Sequence, residues 1–126
     1  MEAQRKPKLL VVDDEAEILE MIRNHFTLRG YEVLTAPDGG EGIETLEREN
    51  PDIVLLDLKM KKMDGDKFLR GVRAKNLHPK VIVVTGYQDE KLQAEIERLG
   101  VDAFLEKPVS ILELQKKVQE LVGVVK

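Results

Sequence analysis

The stretch Ile53-Val54-Leu55-Leu56-Asp57 places four apolar residues directly before a carboxylate. The apolar run is too short to cross a membrane and lacks helical spacing, so it predicts a strand that is buried on both faces. The stretches 9–14 and 81–85 follow the same design and end in Asp13-Asp14 and in Thr85. Because the carboxyl ends of parallel strands lie on one edge of a sheet, we expect these polar side chains to converge on one site.

Hydrophobic periodicity along the chain predicts five strands that alternate with five helices, which is typical of an α/β fold with a parallel sheet and right-handed crossovers. The expected strands are 8–13, 31–36, 53–57, 81–84 and 101–105. The first, third and fourth are apolar throughout and are expected at the centre, whereas the second and fifth alternate and suit the edges. This pattern favours the strand order 2-1-3-4-5 of a doubly wound, flavodoxin-like sheet.

Local signals predict where several of the helices begin and end. Capping-box pairs predict the starts of the first, second and last helices, at Asp14/Glu17, Asp38/Glu41 and Ser110/Glu113. Stop signals are expected at Gly30, Asn50-Pro51 and Gly100. The fourth helix is expected near 88–99.

Composition limits the class of protein. The 126 residues fit one domain, and the absence of cysteine excludes disulfides, thiol catalysis and cysteine-ligated zinc. The charged start of the chain and the lack of any long apolar run favour a cytoplasmic protein with no membrane partner. The net charge of −4 argues against direct nucleic-acid binding by this domain, because phosphate contacts need clustered lysine and arginine.

The side chains at the strand ends suggest phosphoryl chemistry. Asp13, Asp14 and Asp57 would repel one another in one cleft unless a cation lies among them, and an all-oxygen ligand set favours Mg²⁺. Asp57 stands alone at the end of the central strand and is best placed to attack phosphorus and form an acyl phosphate. Thr85 and Lys107 can supply a hydroxyl and an ammonium group to the phosphoryl oxygens.

The ordered set Asp13-Asp14, Asp57, Thr85-Gly86 and Lys107-Pro108 resembles the receiver domain of two-component response regulators, over nearly the whole chain. The resemblance implies a single receiver domain over 1–126, with no output domain in this chain. It implies that Asp57 accepts a phosphoryl group from a sensor histidine kinase or a histidine phosphotransfer protein. Such a domain is a signalling module that catalyses its own phosphorylation and dephosphorylation, and it is not otherwise an enzyme.

The same resemblance assigns roles within the site. It implies a Mg²⁺ site, in which Mn²⁺ can replace Mg²⁺, made by Asp13, Asp14, Asp57 and the backbone carbonyl of Lys59. Thr85 and Lys107 would bind phosphoryl oxygens. Tyr87, two residues after Thr85, would modulate the lifetime of the acyl phosphate. Independently of the resemblance, the position of Lys59 at the mouth of the cleft, two residues after Asp57, predicts the same role for its side chain.

Phe104 matches the switch aromatic of the family, three residues before the lysine. The resemblance implies that its ring turns inward when Thr85 moves toward the phosphoryl group. The face made by helix four, strand five and helix five would then signal to a downstream protein or output domain. Judged without the resemblance, Phe104 is an ordinary half-buried aromatic of an edge strand. The sequence leaves open a homodimer that depends on phosphorylation.

Several other functions fit the sequence less well. A phosphatase of the haloacid-dehalogenase type needs a second acid two residues after the nucleophile, where this chain has Lys59. A flavodoxin needs a phosphate loop after the first strand, where 13–15 are all acidic. The glycines of 39–42 lack dinucleotide-binding spacing. A pseudo-receiver that works without phosphorylation is disfavoured because all the acceptor residues are present.

Overall fold

The computed structural model describes residues 6–58, 60, 64–86 and 90–123. The strands are β1 (Lys8–Val12), β2 (Glu32–Ala36), β3 (Ile53–Leu56), β4 (Lys80–Thr85) and β5 (Ala103–Glu106). The helices are α1 (Ala16–Thr27), α2 (Gly39–Glu49), α3 (Gly65–Ala74), α4 (Glu90–Leu99) and α5 (Ile111–Val122). Strands and helices therefore alternate as the sequence predicted.

All strand pairs of the sheet are parallel, and the order is β2-β1-β3-β4-β5. Leu10 of β1 lies opposite Leu34 of β2 on one side and opposite Val54 of β3 on the other. Every residue of β3 is buried, whereas β2 and β5 are mostly half-buried. The predicted order and the predicted division into central and edge strands are both confirmed.

The apolar core forms two layers, one on each face of the sheet. Alternate strand residues such as Leu10 and Val54 point to the face covered by α2, α3 and α4. Their neighbours Leu9 and Leu55 point to the face covered by α1 and α5. Because both faces are covered, the central strands can be apolar at every position, and this explains the unbroken runs in the sequence.

Two of the predicted capping pairs make the hydrogen bond from the helix amide to the N-cap side chain. The Asp38 carboxylate accepts a hydrogen bond from the Glu41 amide at 2.9 Å, and the Ser110 hydroxyl accepts one from the Glu113 amide at 3.0 Å. Each bond satisfies an amide that has no partner within its helix, so these side chains fix the first residues of α2 and α5.

The prediction that Asp14 caps α1 is wrong. Glu15 occupies the N-cap position, and its side chain makes no capping hydrogen bond. The Asp13 carboxylate accepts a hydrogen bond from the Glu15 amide at 2.9 Å, which closes a tight turn before the helix. The helix consequently begins one residue later than predicted, at Ala16.

The predicted stop signals lie at the C-terminal ends of their helices. Gly30, Asn50 and Gly100 have φ values of 91°, 49° and 90°, in the left-handed region that ends helices. The predicted start of α4 near Gln88 lies outside the described residues, and the described helix begins at Glu90. Within the described ranges, no helix combines the length and the apolar character that a membrane span requires.

Candidate functional site

The carboxyl edge of the sheet brings the ends of β1 and β3 together. The Asp13 amide donates to the Ala36 carbonyl at 3.1 Å, and the Asp57 amide donates to the Val12 carbonyl at 3.1 Å. These bonds continue the strand pairing one residue beyond β1 and β3, so that both aspartates are held in register. Asp13 is 5% exposed and Asp57 is 7% exposed. They lie between β1 and β3, where the order in which the strands are added across the sheet reverses. In folds of this class, ligands bind at that point.

Three carboxylates meet at this point. Asp13, Asp14 and Asp57 each offer an oxygen, and these oxygens lie within 4.8 Å of one another. Burial raises the pKa of the Asp13 carboxyl, and the Glu15 amide and the Lys107 ammonium partly oppose this rise. Two of the three carboxylates are buried and Asp14 is half-buried. A compact set of carboxylate oxygens suits a hard divalent cation, so the residues present fit the Mg²⁺ site implied by the sequence.

Lys107 brings a positive charge to Asp13 and Asp57 from the end of the edge strand β5. It directly follows β5, and its amide donates to the Thr85 carbonyl at 2.9 Å. Its Nζ lies 3.7 Å from Asp57 Oδ2 and 3.8 Å from Asp13 Oδ2. This ammonium group is therefore placed to bind the negative oxygens of a group attached to Asp57.

Thr85 and Phe104 lie on the neighbouring strands β4 and β5. Thr85 ends β4, is half-buried and pairs in register with Glu106. Phe104 lies opposite Val83, and its ring packs half-buried against the core layer under α2, α3 and α4. Phe104 is thus part of the wall of the sheet and not of the carboxylate cluster, and its role as a switch stays a prediction.

The start of α3 packs directly against the segment that carries Asp57. The Gly65 amide donates to the Leu58 carbonyl at 2.8 Å. A Cβ atom at Gly65 would lie 2.8 Å from Leu58 Cδ2, 3.0 Å from Leu58 Cα and 3.3 Å from the Asp57 carbonyl oxygen. Only glycine permits this approach, and the contact fixes the backbone immediately after the carboxylate.

The structure brings most of the predicted site residues together. The side chains of four of them converge, namely Asp13, Asp14, Asp57 and Lys107. Thr85 joins them through its backbone bond to Lys107. The predicted roles of Lys59 and Tyr87 fall outside the described residues.

The sequence prediction missed one charged residue of the site. Glu15 Oε1 lies 3.8 Å from Lys107 Nζ, a distance similar to those from the two buried aspartates. The signal was its position directly after Asp14, at the same strand end. That position did not reveal a contact with Lys107, because the contact depends on the conformation of the exposed Glu15 side chain.

Comparison with known proteins gives a consistent result. The family model described as the response regulator receiver domain matches residues 9–119. The chain is 32% identical to the alkaline phosphatase synthesis transcriptional regulatory protein PhoP of Bacillus subtilis, over 90% of this chain and 48% of PhoP. It is 33% identical to the regulatory protein AtoC of Escherichia coli, over 89% of this chain and 24% of AtoC. The chain thus spans half or less of these relatives.

A solved structure shows the same arrangement of strands and helices. The CheY-like response regulator receiver domain protein of Methanospirillum hungatei superposes with a TM-score of 0.86 at 32% identity. The match covers 92% of this chain and 93% of that one. The sequence match to the receiver-domain model and the structural match to a solved receiver domain therefore both cover almost the full length of the chain.

Proposed function

Because this chain belongs to the response regulator receiver domain family, we propose that Asp57 is the aspartate on which it is phosphorylated. The observation that carries the proposal is the placement of the Asp57 carboxylate. It is buried at the point where strand order reverses, it shares a cluster with Asp13 and Asp14, and its Oδ2 lies 3.7 Å from Lys107 Nζ. A nucleophile and groups that can hold a phosphoryl unit are thus within reach of one another.

The three carboxylates are the proposed ligands of Mg²⁺, which Mn²⁺ can replace. When bound, the ion supplies positive charge that offsets the carboxylates and the phosphoryl oxygens. Asp13, which is buried, and Asp14, which is half-buried, would hold that charge beside Asp57. The contribution of the Lys59 carbonyl stays a prediction.

In the proposed reaction, a carboxylate oxygen of Asp57 attacks the phosphorus of a phosphohistidine. The new oxygen–phosphorus bond forms as the phosphorus–nitrogen bond breaks, and the imidazole nitrogen keeps the electron pair and takes up a proton. The Lys107 ammonium and the Thr85 hydroxyl bind the oxygens of the transferred group. Attack by water on the acyl phosphate later returns Asp57 and inorganic phosphate, which is the dephosphorylation step.

The proposed donor is a sensor histidine kinase or a histidine phosphotransfer protein, and the proposed target is a downstream protein or an output domain. The signal would pass through Thr85 and Phe104 to the face made by α4, β5 and α5. The half-buried ring of Phe104, on the strand next to Thr85, supports this route because a half-buried ring can move further inward. The predicted cytoplasmic location and the dependence of dimerisation on phosphorylation stay predictions.

Intact mass after incubation with Mg²⁺ and acetyl phosphate tests the proposal. The wild-type chain should gain one phosphoryl group that is labile to base, and Asp57→Asn should gain none. Asp38→Asn is the matched control, because asparagine caps a helix as well as aspartate does and Asp38 lies outside the carboxylate cluster. Equal phosphorylation of Asp57→Asn and wild type would show that another residue is the acceptor.

A further inference from the structure

Glu15 is a charged residue at the mouth of the site that the proposed reaction does not use. It follows Asp14 and occupies the N-cap position of α1. Its side chain is 61% exposed, whereas Asp13 and Asp57 are almost fully buried. Lys107 therefore lies between two buried carboxylates and one that faces solvent.

The Lys107 ammonium group is shared among these three carboxylates. Its Nζ is 3.7 Å from Asp57, 3.8 Å from Asp13 and 3.8 Å from Glu15. All three distances exceed those of a direct hydrogen bond, so none of these three carboxylates holds the ammonium group tightly. A small change in the surrounding charge can therefore move it from one partner to another.

The position of Glu15 relative to the cluster is fixed by its own backbone. Its amide donates to Asp13 Oδ1 at 2.9 Å, so the residue is attached to one of the buried carboxylates. Its side chain makes no capping bond to α1. The carboxylate of Glu15 is consequently available to Lys107 and has no structural task in the helix start.

We propose that Glu15 is a positioning residue that competes with the phosphoryl oxygens for the Lys107 ammonium group. Before phosphorylation it draws Lys107 toward solvent and places a negative charge at the entrance. A phosphoryl group arriving at Asp57 must take Lys107 from Glu15 and approach that charge. Glu15 therefore lowers the affinity of the site for a phosphoryl group. This inference rests on the proposed role of Asp57.

Binding of fluoroberyllate, which imitates a phosphoryl group on aspartate, tests the proposal without turnover. The affinity of the full chain is measured by NMR titration in the presence of Mg²⁺. Glu15→Gln should bind roughly 1.5-fold to fivefold more tightly than wild type, which is the range expected for loss of one exposed ion pair. The gain should shrink as salt is raised, because exposed charges are screened.

Glu17→Gln is the matched control. It removes the same charge two residues away, on an exposed side chain in the first turn of α1. Glu17→Gln should change the affinity by much less than Glu15→Gln. Equal gains in fluoroberyllate affinity in Glu15→Gln and Glu17→Gln would mean that any negative charge near the start of α1 has the same effect. The positioning role of Glu15 would then be overturned.

A double-mutant cycle with Lys107→Gln tests whether Glu15 acts through the lysine. In the Lys107→Gln background, Glu15→Gln should give less than half of the gain in fluoroberyllate affinity that it gives in the wild-type background, because only the direct repulsion between Glu15 and the ligand remains there. A full additional gain there would overturn the proposal, since Glu15 would then act on the ligand directly.

The failure of this inference differs from failure of the proposed function. If wild type binds fluoroberyllate, Asp57→Asn does not, and Glu15→Gln and Glu17→Gln change the affinity equally, only the role of Glu15 is wrong. If neither wild type nor any variant binds it, the phosphoacceptor site itself is wrong, and the role of Glu15 is overturned with it.

Discussion

Tyr31 carries a hydroxyl that the fold does not satisfy. The residue is 3% exposed, and its ring meets Phe26 edge-on with centroids 5.2 Å apart. Among the described residues, its hydroxyl is the buried side-chain polar atom without a hydrogen-bond partner. Burial also raises the pKa of Tyr31, because the charged phenolate is poorly solvated there.

Tyr31→Phe should therefore stabilise the protein. It removes an unsatisfied hydroxyl and keeps the ring, so the free energy of unfolding at pH 7 should rise by about 1 kcal/mol. The contribution of the protonated phenol is fully present below pH 10.0, the ordinary pKa of tyrosine, and is lost as pH rises through the higher pKa of the folded state. The difference in the free energy of unfolding between Tyr31→Phe and wild type should consequently increase above pH 10. Urea unfolding at pH 7 and above pH 10 would measure it. A variant less stable than wild type at pH 7 would mean that the hydroxyl has a partner.

The site residues that could be predicted from sequence are those whose position follows from strand ends alone. Asp13, Asp57 and Lys107 each directly follow a strand of one parallel sheet, so their convergence needs no knowledge of side-chain conformation. The contact of Glu15 with Lys107 depends on a side-chain conformation at the edge of the site, which no periodic pattern in the sequence encodes.

At the level of the elements, α3 contains two glycines that differ in what surrounds them. A Cβ at Gly65 would lie 3.0 Å from the backbone Cα of Leu58, next to Asp57. A Cβ at Gly71 would lie 2.7 Å from Ile43 Cδ1, which is the far end of a flexible side chain. Backbone can yield far less easily than a side-chain terminus, so the two sites should respond differently to the same substitution.

Gly65→Ala should lower the free energy of unfolding by roughly 1–3 kcal/mol, because overpacking displaces the backbone of Leu58. It should also slow phosphorylation by acetyl phosphate, since that backbone positions Asp57. Gly71→Ala is the control within the same helix, where the better helix propensity of alanine offsets the shift of Ile43. Denaturant unfolding and phosphorylation rates of both variants measure the difference. Equal losses of stability would contradict the distinction between backbone and side-chain contacts.

Helix starts show how far local signals reach. The N-caps at Asp38 and Ser110 were predicted correctly because capping involves residues only three positions apart. The start of α1 was misplaced by one residue because Asp13, a site residue, takes the Glu15 amide. The local rule failed where the chain serves the functional site.

At the level of the whole molecule, the strand order could be predicted because a strand buried on two faces is apolar at every position of its sequence. Strands apolar at every position belong at the centre of a covered sheet, and right-handed crossovers then leave few arrangements. The register within the sheet, such as Leu10 opposite Val54, has no comparable trace, because apolar residues at every position fit more than one alignment.

The fold also holds three carboxylates together against their repulsion, and this should be visible in the stability of the whole domain. Burial raises the pKa of Asp13, and the neighbouring carboxylates of Glu15 and Asp14 add to this rise, so the stability that its neutral form provides is lost as pH rises through that pKa. At pH 7 without metal, the charged carboxyl of Asp13 therefore lowers the free energy of unfolding. Asp13→Asn should be at least as stable as wild type in the presence of a chelator.

Mg²⁺ should reverse that order. A ligand that binds only the folded state at a hundred times its Kd adds about 2.7 kcal/mol, which corresponds to a Tm increase of roughly 10 °C for a domain of this size. Wild type and Asp38→Asn should show this increase in thermal melts, whereas Asp13→Asn should lose most of it, because the cation meets one carboxylate fewer. A wild-type Tm that Mg²⁺ leaves unchanged at millimolar concentrations would contradict the assignment of the cluster as a metal site. Asp13→Asn should therefore be at least as stable as wild type without metal, and wild type should be the more stable of the two with Mg²⁺. This reversal of stability separates a cation site from a merely acidic surface, since Mg²⁺ attracted by a diffuse surface charge would change the stability of both proteins in the same direction.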